Sequence, residues 1–449
     1  MARPPSLSSD PFSGLFVGEA VREATSDVAW LQAMLDFESA LAAAEAEAGL
    51  IPSEAAEAIA AACDASGFDP EAISRDGRSQ ANPAVPLVAV LREKLGDEVA
   101  GFVHHGATSQ DALDTAAMLV SKRTLSIIRA ELDGVADACA KLADQHRSTV
   151  MAGRTLLQQA LPTTFGLKAA GWLDGIVGAR ERLDSLSLAV QLGGAAGTLA
   201  SLGSDGERVV GLVAKRLELE EPAIPWHTSR MRVAEMGASL ALAVGAIEKI
   251  ALDLVLLAQT EVAEVSESSA CGRGGSSTLP HKRNPVGSVV AIACARRVRG
   301  AAGVLLEAMP QEQERAAGAW QSEWAPLSDA LALTGGAATA VREALDGLEV
   351  SPERMRRNLD ATGGLPMSES VVTVLAGRVG GQRARELVDS AAGRALDRER
   401  PLRDELIEDK DVSAELSEEE IDRALDPAGY LGSADVFIDR ALSRFREGS

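Results

Sequence analysis

Met118, Leu125, Leu132 and Cys139 recur at intervals of seven residues, with Ile128, Val135 and Leu142 set between them. This heptad-like stripe is the pattern of a helix packed in a bundle; a half-buried strand would need apolar residues at every second position. A second stretch constrains the fold further. From about Arg232 to about Glu264 there is no proline, and Leu240, Leu242, Val244, Ile247, Ile250, Leu252, Leu254, Val255 and Leu257 leave almost no polar face. At ~1.5 Å per residue such a helix spans ~50 Å, and a helix apolar all round is buried on all sides. One chain of 449 residues would struggle to surround it, so neighbouring copies of the chain are expected to cover it. No strand alternation stands out and aromatic residues make up only 3%, so the expected fold class is all-α.

Three stretches organise the chain. Residues 1–111 read as short helices and loops that include the segment QANPAVP, and 112–350 hold the long helices. Ser351-Pro352-Glu353 has the order of an N-cap, a first-turn proline and a first-turn acid, opening a helical unit over 351–449. Its acidic stretch from Asp404 to Asp422 reads as a solvated face. The uncharged run from Ser185 to Ser204 contains Gln191, Gly193, Gly194, Gly197 and Gly203, and is expected to form a helix–turn–helix rather than a membrane span.

The charge balance narrows the partners. With 66 acidic against 44 basic residues the formal net charge is -22, which argues against binding nucleic acid or an anionic membrane. An anionic small substrate stays possible, because a site's local field can oppose the global one. The N-terminus MARPPSLSSDPFSGLF has no apolar stretch of signal-peptide length. Cys63, Cys139, Cys271 and Cys294 are scattered without a CxxC pair, which fits free thiols in a reducing cytoplasm. None of the five histidines (104, 105, 146, 227, 281) has metal-ligand spacing with another histidine or a cysteine, so no metal is expected.

The most informative segment is Cys271–Pro285, CGRGGSSTLPHKRNP. Gly272, Gly274 and Gly275 make its backbone pliable, Ser276, Ser277 and Thr278 supply hydroxyls, and His281, Lys282, Arg283 and Asn284 gather positive charge and an amide. Such a segment suits a mobile lid that carries a base with an anion clamp behind it. GGSSTLPHKRNP resembles the GSSxMPxKxNP signature of the fumarase/aspartase superfamily, with Leu279 where Met is usual. VHHGATSQDALDT, from Val103 to Thr115, and GRTLLQQALPTTFG, from Gly153 to Gly166, resemble its other two signatures in the expected order. Within the superfamily the chain is most similar to the family of cycloisomerases acting on 3-carboxy-cis,cis-muconate, and adenylosuccinate lyase is the nearest alternative. A non-catalytic homologue is the remaining reading.

The resemblance implies a homotetramer with a central helical bundle and active sites shared between subunits, working on a small tricarboxylate without metal or organic cofactor. It implies that Ser276 takes or returns the proton alpha to a carboxylate, with Lys282 and Asn284 binding that carboxylate and Ser277 beside them. A serine hydroxyl is a weak acid, so its alkoxide needs N–H donors and Lys282 in a dry site. His104 matches the signature histidine, as proton relay or substrate ligand. Thr108 and Ser109, ahead of a helix whose first turn holds Asp111, are placed to bind a carboxylate. Arg230 and Arg232 match an Arg-x-Arg element that binds the substrate's anionic end, and Gln158 and Arg315 are further polar contacts.

Leu156 stands where the lyases that release an amine or water carry a histidine, and Gln159 is not a histidine either. An amine or hydroxide must be protonated to leave, whereas a carboxylate, with an acid pKa near ~4, needs no general acid. The apolar residue at 156 is therefore expected for lactone formation and opening, and is expected to pack as an apolar side chain.

Overall fold

The computed structural model describes residues 13–268, 274–275, 279 and 281–448. Helices dominate it: α1 (Asp27–Ala48), α2 (Ala84–Leu95), α3 (Ser109–Gln145), α4 (Phe165–Asp184), α5 (Met231–Leu257), α6 (Val286–Glu307), α7 (Ala319–Asp346) and α8 (Pro352–Asp360) are the ones that position the residues discussed below. The chain divides into two compact units. One draws on Met1–Leu132, Ala179–Glu248 and Val290–Ala340, the other on Asp133–Gly178, Lys249–Val289 and Val341–Ser449.

In the first unit, Ser26 caps α1 by accepting from the Ala29 N–H, and Gly49, at φ 80°, ends it. Leu35, Phe37 and Leu41 of α1 are fully buried, as are Leu91 of α2 and Met118 of α3. In the second unit, Cys139, Phe165, Leu173 and Ile176 form buried positions of α3 and α4. A separate cluster around Val371, Leu375, Val388, Leu402, Leu406 and Ile421 packs the C-terminal helices. The heptad stripe of α3 is buried at Met118, Ile128, Leu132, Val135 and Cys139, as its spacing requires. Ser351 does cap α8, with Pro352 in its first turn.

Several expectations need correction. The helix expected to reach Glu264 stops at Leu257. Beyond it, Arg354 of α8 donates to the Val262 and Glu261 carbonyls, and Asn358 donates to Val262 and to Glu264. These long-range donors satisfy carbonyls that a continued helix would have satisfied itself. Within the single chain Leu242, Leu252 and Leu256 of α5 are exposed, the faces for which neighbouring copies are expected to provide cover.

The chain also holds a β-hairpin that the sequence does not announce. Strands β1 (Val150–Thr155) and β2 (Gln158–Thr164) pair antiparallel, and the turn is Leu156–Leu157. Both turn residues have positive φ (51° and 65°), a conformation normally given to Asn-Gly. A second short pair joins β3 (Val265–Ser266) to β4 (Glu349–Val350). Finally, 185–199 is irregular rather than helical, bridged by Ala189 to Glu220. Among the described residues no helix is long and apolar enough to cross a membrane.

Candidate active site

The N-terminus of α3 is organised by Asp111, which has no exposed surface. Its Oδ2 accepts from the backbone N–H groups of Thr108 and Gly194, both at 2.9 Å, and its Oδ1 accepts from Gly193 N–H at 3.0 Å. His227 Nε2 lies 2.7 Å from the same Oδ1. The approach demands glycine. A Cβ at Gly193 would lie 2.7 Å from the His227 ring, and one at Gly194, whose φ is 68°, would lie 2.8 Å from the Gly106 carbonyl. Arg315 completes the corner by donating to Thr108 Oγ1 at 3.1 Å and to the Ala195 carbonyl at 2.9 Å. Ser109 Oγ accepts from Asn82 Nδ2 at 2.7 Å. Thr108 and Ser109 thus use their oxygens as acceptors and each keeps a hydroxyl proton to donate. Two such donors at the positive end of a 37-residue helix suit a carboxylate.

His104 and His105 sit just before this corner, each against a buried carboxylate of α1. His104 Nδ1 is 2.6 Å from Glu38 Oε1, and His105 Nδ1 is 3.0 Å from Glu45 Oε1. Burial pulls the His104 pKa down, but the charge and hydrogen bond of Glu38, helped by Asp111 against Arg92, outweigh it and leave the pKa raised. Burial, with the nearby Glu38 charge, pushes the Glu45 carboxyl up to about 8.

The Arg-x-Arg pair separates in role, which corrects the expectation for Arg230. This side chain is 2% exposed. It donates to both oxygens of Asp114 at 2.7 and 2.9 Å, and to Glu323 Oε2 at 2.6 Å. Trp320 Nε1 and Gln110 Nε2 also bond Asp114, and Gln311 bonds Glu323. With two carboxylates saturating its fork, Arg230 is not free for a third. Arg232 differs: its Nε finds no partner, and its guanidinium lies 6.0 Å from the Trp226 ring centroid. Of the two, Arg232 is the cation left to meet an anion.

The second unit holds the other signature residues. Arg154 of β1 makes a bidentate pair with the buried Glu264 at 2.9 and 2.6 Å, and Gln159 donates to the Asn358 carbonyl at 2.9 Å. These contacts hold the hairpin at its root. At its tip Leu156 is 97% exposed and Leu157 72%, so Leu156 does not pack within the chain as expected. Gln158, beside them, is exposed as well. Ser276, Ser277 and Thr278 lie outside the described residues. The flanks of their segment are pinned together: Gly274, at φ 70°, accepts from the Asn284 N–H at 2.9 Å and from its side-chain amide at 3.2 Å. A Cβ on Gly274 would sit 2.4 Å from the Asn284 carbonyl oxygen. Asn284 is thereby tied to the base of the segment, and Lys282 is exposed.

The chain resembles known proteins along most of its length. The profile of the family described as Lyase matches residues 16–300, and that described as Adenylosuccinate lyase C-terminus matches 364–441. The chain belongs to the fumarase/aspartase family of lyases. It is 45% identical over 438 residues to the 3-carboxy-cis,cis-muconate cycloisomerase of Pseudomonas aeruginosa, covering 96% of this chain and 95% of that one. It is also 45% identical over 455 residues to the nitrosuccinate lyase of Streptomyces davaonensis, covering 98% and 96%. The crystal structure of the 3-carboxy-cis,cis-muconate lactonizing enzyme of Pseudomonas putida superposes with a TM-score of 0.93 at 45% identity, over 98% of this chain and 99% of that one.

Within this lyase-family fold, the first unit gathers His104, Thr108, Ser109 and Arg315, with Arg230 buried and Arg232 unpaired. The second carries Gln158, Lys282 and Asn284. Sequence reasoning missed Glu38, Asp114, His227 and Glu323, and read Asp111 only as a first-turn acid. Their partners lie far along the chain, so no local spacing gives them away. One signal was present: acids at 38 and 45 stand one heptad apart inside the alanine-rich stretch of α1, where a charge on an apolar face asks for a partner.

Proposed function

We propose that this enzyme converts 3-carboxy-cis,cis-muconate to 4-carboxymuconolactone, in the cytoplasmic breakdown of protocatechuate by the β-ketoadipate route. The observation that carries this reading is Leu156, which is 97% exposed at the tip of a hairpin at the position where amine- and water-releasing relatives place a histidine. Lactone opening expels a carboxylate, a group that leaves without a general acid. In the forward direction an internal carboxylate oxygen attacks the C=C carbon, the C–O bond forms, and the alpha carbon takes up one proton. Three carboxylates become two and a lactone, so charge balances. In this reading Ser276 delivers and removes that proton, Lys282 and Asn284 hold the adjacent carboxylate, and Thr108, Ser109, Arg232 and His104 bind the remaining anionic oxygens. Ser277 and Gln158 complete the polar lining, and Arg315 acts by fixing Thr108. The exposed leucines of α5 and of the hairpin support a homotetramer in which other copies cover them.

The test is loss of the diene absorbance when purified protein meets 3-carboxy-cis,cis-muconate. Nitrite is also the anion of a weak acid and leaves unaided, so the resemblance to the Streptomyces davaonensis enzyme makes nitrosuccinate the comparison substrate. Turnover of the muconate is expected; release of nitrite without it would move the assignment to the second reading.

Leu156→His is expected to leave the fold of the chain intact, since the side chain packs against nothing within its own chain, and to give no gain in kcat from about pH 5 to about pH 9. Across that range a histidine passes through its titration. A gain that titrates with a new group near the usual histidine pKa would show that leaving-group protonation limits this enzyme.

A further inference from the structure

We infer that Glu38 is a positioning residue that holds His104 as an imidazolium, so that His104 presents its Nε2–H to a substrate carboxylate and binds charge instead of moving the proton. The inference rests on the reading of this corner as the substrate site, and it sharpens the role of a residue for which relay and binding were both open.

The geometry sets the proton on Nδ1. Glu38 Oε1 lies 2.6 Å from that nitrogen, and an ionised carboxylate can only accept, so Nδ1 carries hydrogen. Among the described residues Nε2 has no hydrogen-bond partner, and it is the nitrogen left to face a ligand. Whether it carries hydrogen too depends on the charges around the ring. Glu38 comes from α1, Asp111 from α3, and the opposing cation Arg92 from α2. Arg92 turns one of its nitrogens to the Val103 carbonyl, at 2.9 Å. Glu38 is 2% exposed and its Oε2 has no partner. While Glu38 is ionised, its burial with one hydrogen-bonded oxygen favours a full positive charge on the imidazole beside it. Glu45, one heptad along the same helix, lies 3.0 Å from His105 Nδ1, but its carboxyl is pushed up to about 8 by burial and by Glu38, so the close negative charge facing His104 from α1 is that of Glu38. The backbone supports the arrangement: His104 sits at φ 60° and Gly106 at φ 70°, so the ring is turned onto α1 by the chain itself and not by an adjustable rotamer alone.

The consequence for the chemistry is a division of labour. A ring fixed as a cation is a poor base, which leaves the alpha proton to the Ser276 segment and gives His104 an electrostatic role.

The experiment uses full-length Glu38→Gln, which keeps the shape and an acceptor oxygen but not the charge. NMR of the histidine rings in the free protein, with His104 identified by its loss in His104→Gln, should show the wild-type His104 keeping its proton to higher pH than an ordinary imidazole. In Glu38→Gln its midpoint should fall by about 1–3 pH units, the effect of removing one close opposite charge. Kinetically, KM for the muconate should then rise about tenfold or more as pH climbs through the lowered midpoint and recover at lower pH, with the loss falling on KM and not on kcat. An unmoved midpoint would make Glu38 merely structural and overturn the inference. A loss in kcat at constant KM would make His104 the proton carrier and overturn it equally. If wild-type protein turns over no muconate while the midpoint moves as stated, the assignment of substrate fails and the Glu38–His104 charge pair stands.

Discussion

Ser276→Ala is expected to reduce kcat by about 10²- to 10⁴-fold, the range for removing a group that moves a proton in the rate-determining step. The substitution deletes one oxygen inside a segment whose ends are anchored independently of it. Gly274 holds Asn284 through two hydrogen bonds, Gly275 bridges Arg283, and Arg283 pairs with Glu349 at 3.1 Å. Next to it, Glu267 caps the start of α6 by accepting from the Gly287 and Ser288 N–H groups. Folding and assembly should therefore be unchanged in sedimentation and circular dichroism while turnover disappears. Mixing the inactive Ser276→Ala chain with a chain inactivated at Thr108 and Ser109 should restore part of the activity if sites are shared between copies. A variant that keeps near-wild-type kcat would pass the proton to another group, with Lys282 examined next.

Arg230→Met is expected to act on stability before it acts on catalysis. It leaves Asp114 and Glu323, 3% and 2% exposed, facing each other without a cation. Removing one partner of a buried ion pair costs about 3–5 kcal/mol. Burial already holds the Glu323 pKa above its ordinary value although Arg230 pulls it down, so without Arg230 it rises further. A carboxyl whose folded pKa is raised loses stability as pH climbs from the ordinary value through the folded one. The deficit in denaturation temperature should thus be smallest near about pH 5 and grow toward about pH 8. A variant as stable as wild type at both values, but unable to bind substrate, would return Arg230 to the role of substrate ligand.

These two cases mark what a sequence of this kind discloses. The heptad stripe of α3 was legible because burial follows a fixed period, and the caps at Ser351 and Pro352 because they are local hydrogen-bond chemistry. The signatures told which segments matter. They did not tell that Arg230 and Arg232, two residues apart, have opposite circumstances, because that depends on carboxylates contributed by α3 and α7. The end of α5 was illegible for the same reason: Arg354 and Asn358 act on it from about 90 residues away in the chain. The hairpin escaped notice because its turn uses two leucines in a conformation that sequence normally marks with Asn or Gly.

The buried thiols carry a practical consequence. Cys63, Cys139 and Cys294 are all free and buried; burial pushes Cys63 up to about 12 and Cys294 up to about 11, and raises Cys139 further still. Since the thiolate is the reactive form, a water-soluble thiol reagent finds almost nothing to attack at these three sites while the chain stays folded. The fourth cysteine, Cys271, belongs to the GGSST segment five positions before Ser276. If the native enzyme takes up one label rapidly, that label belongs to Cys271, and whether substrate protects it can then be read without engineering a single residue.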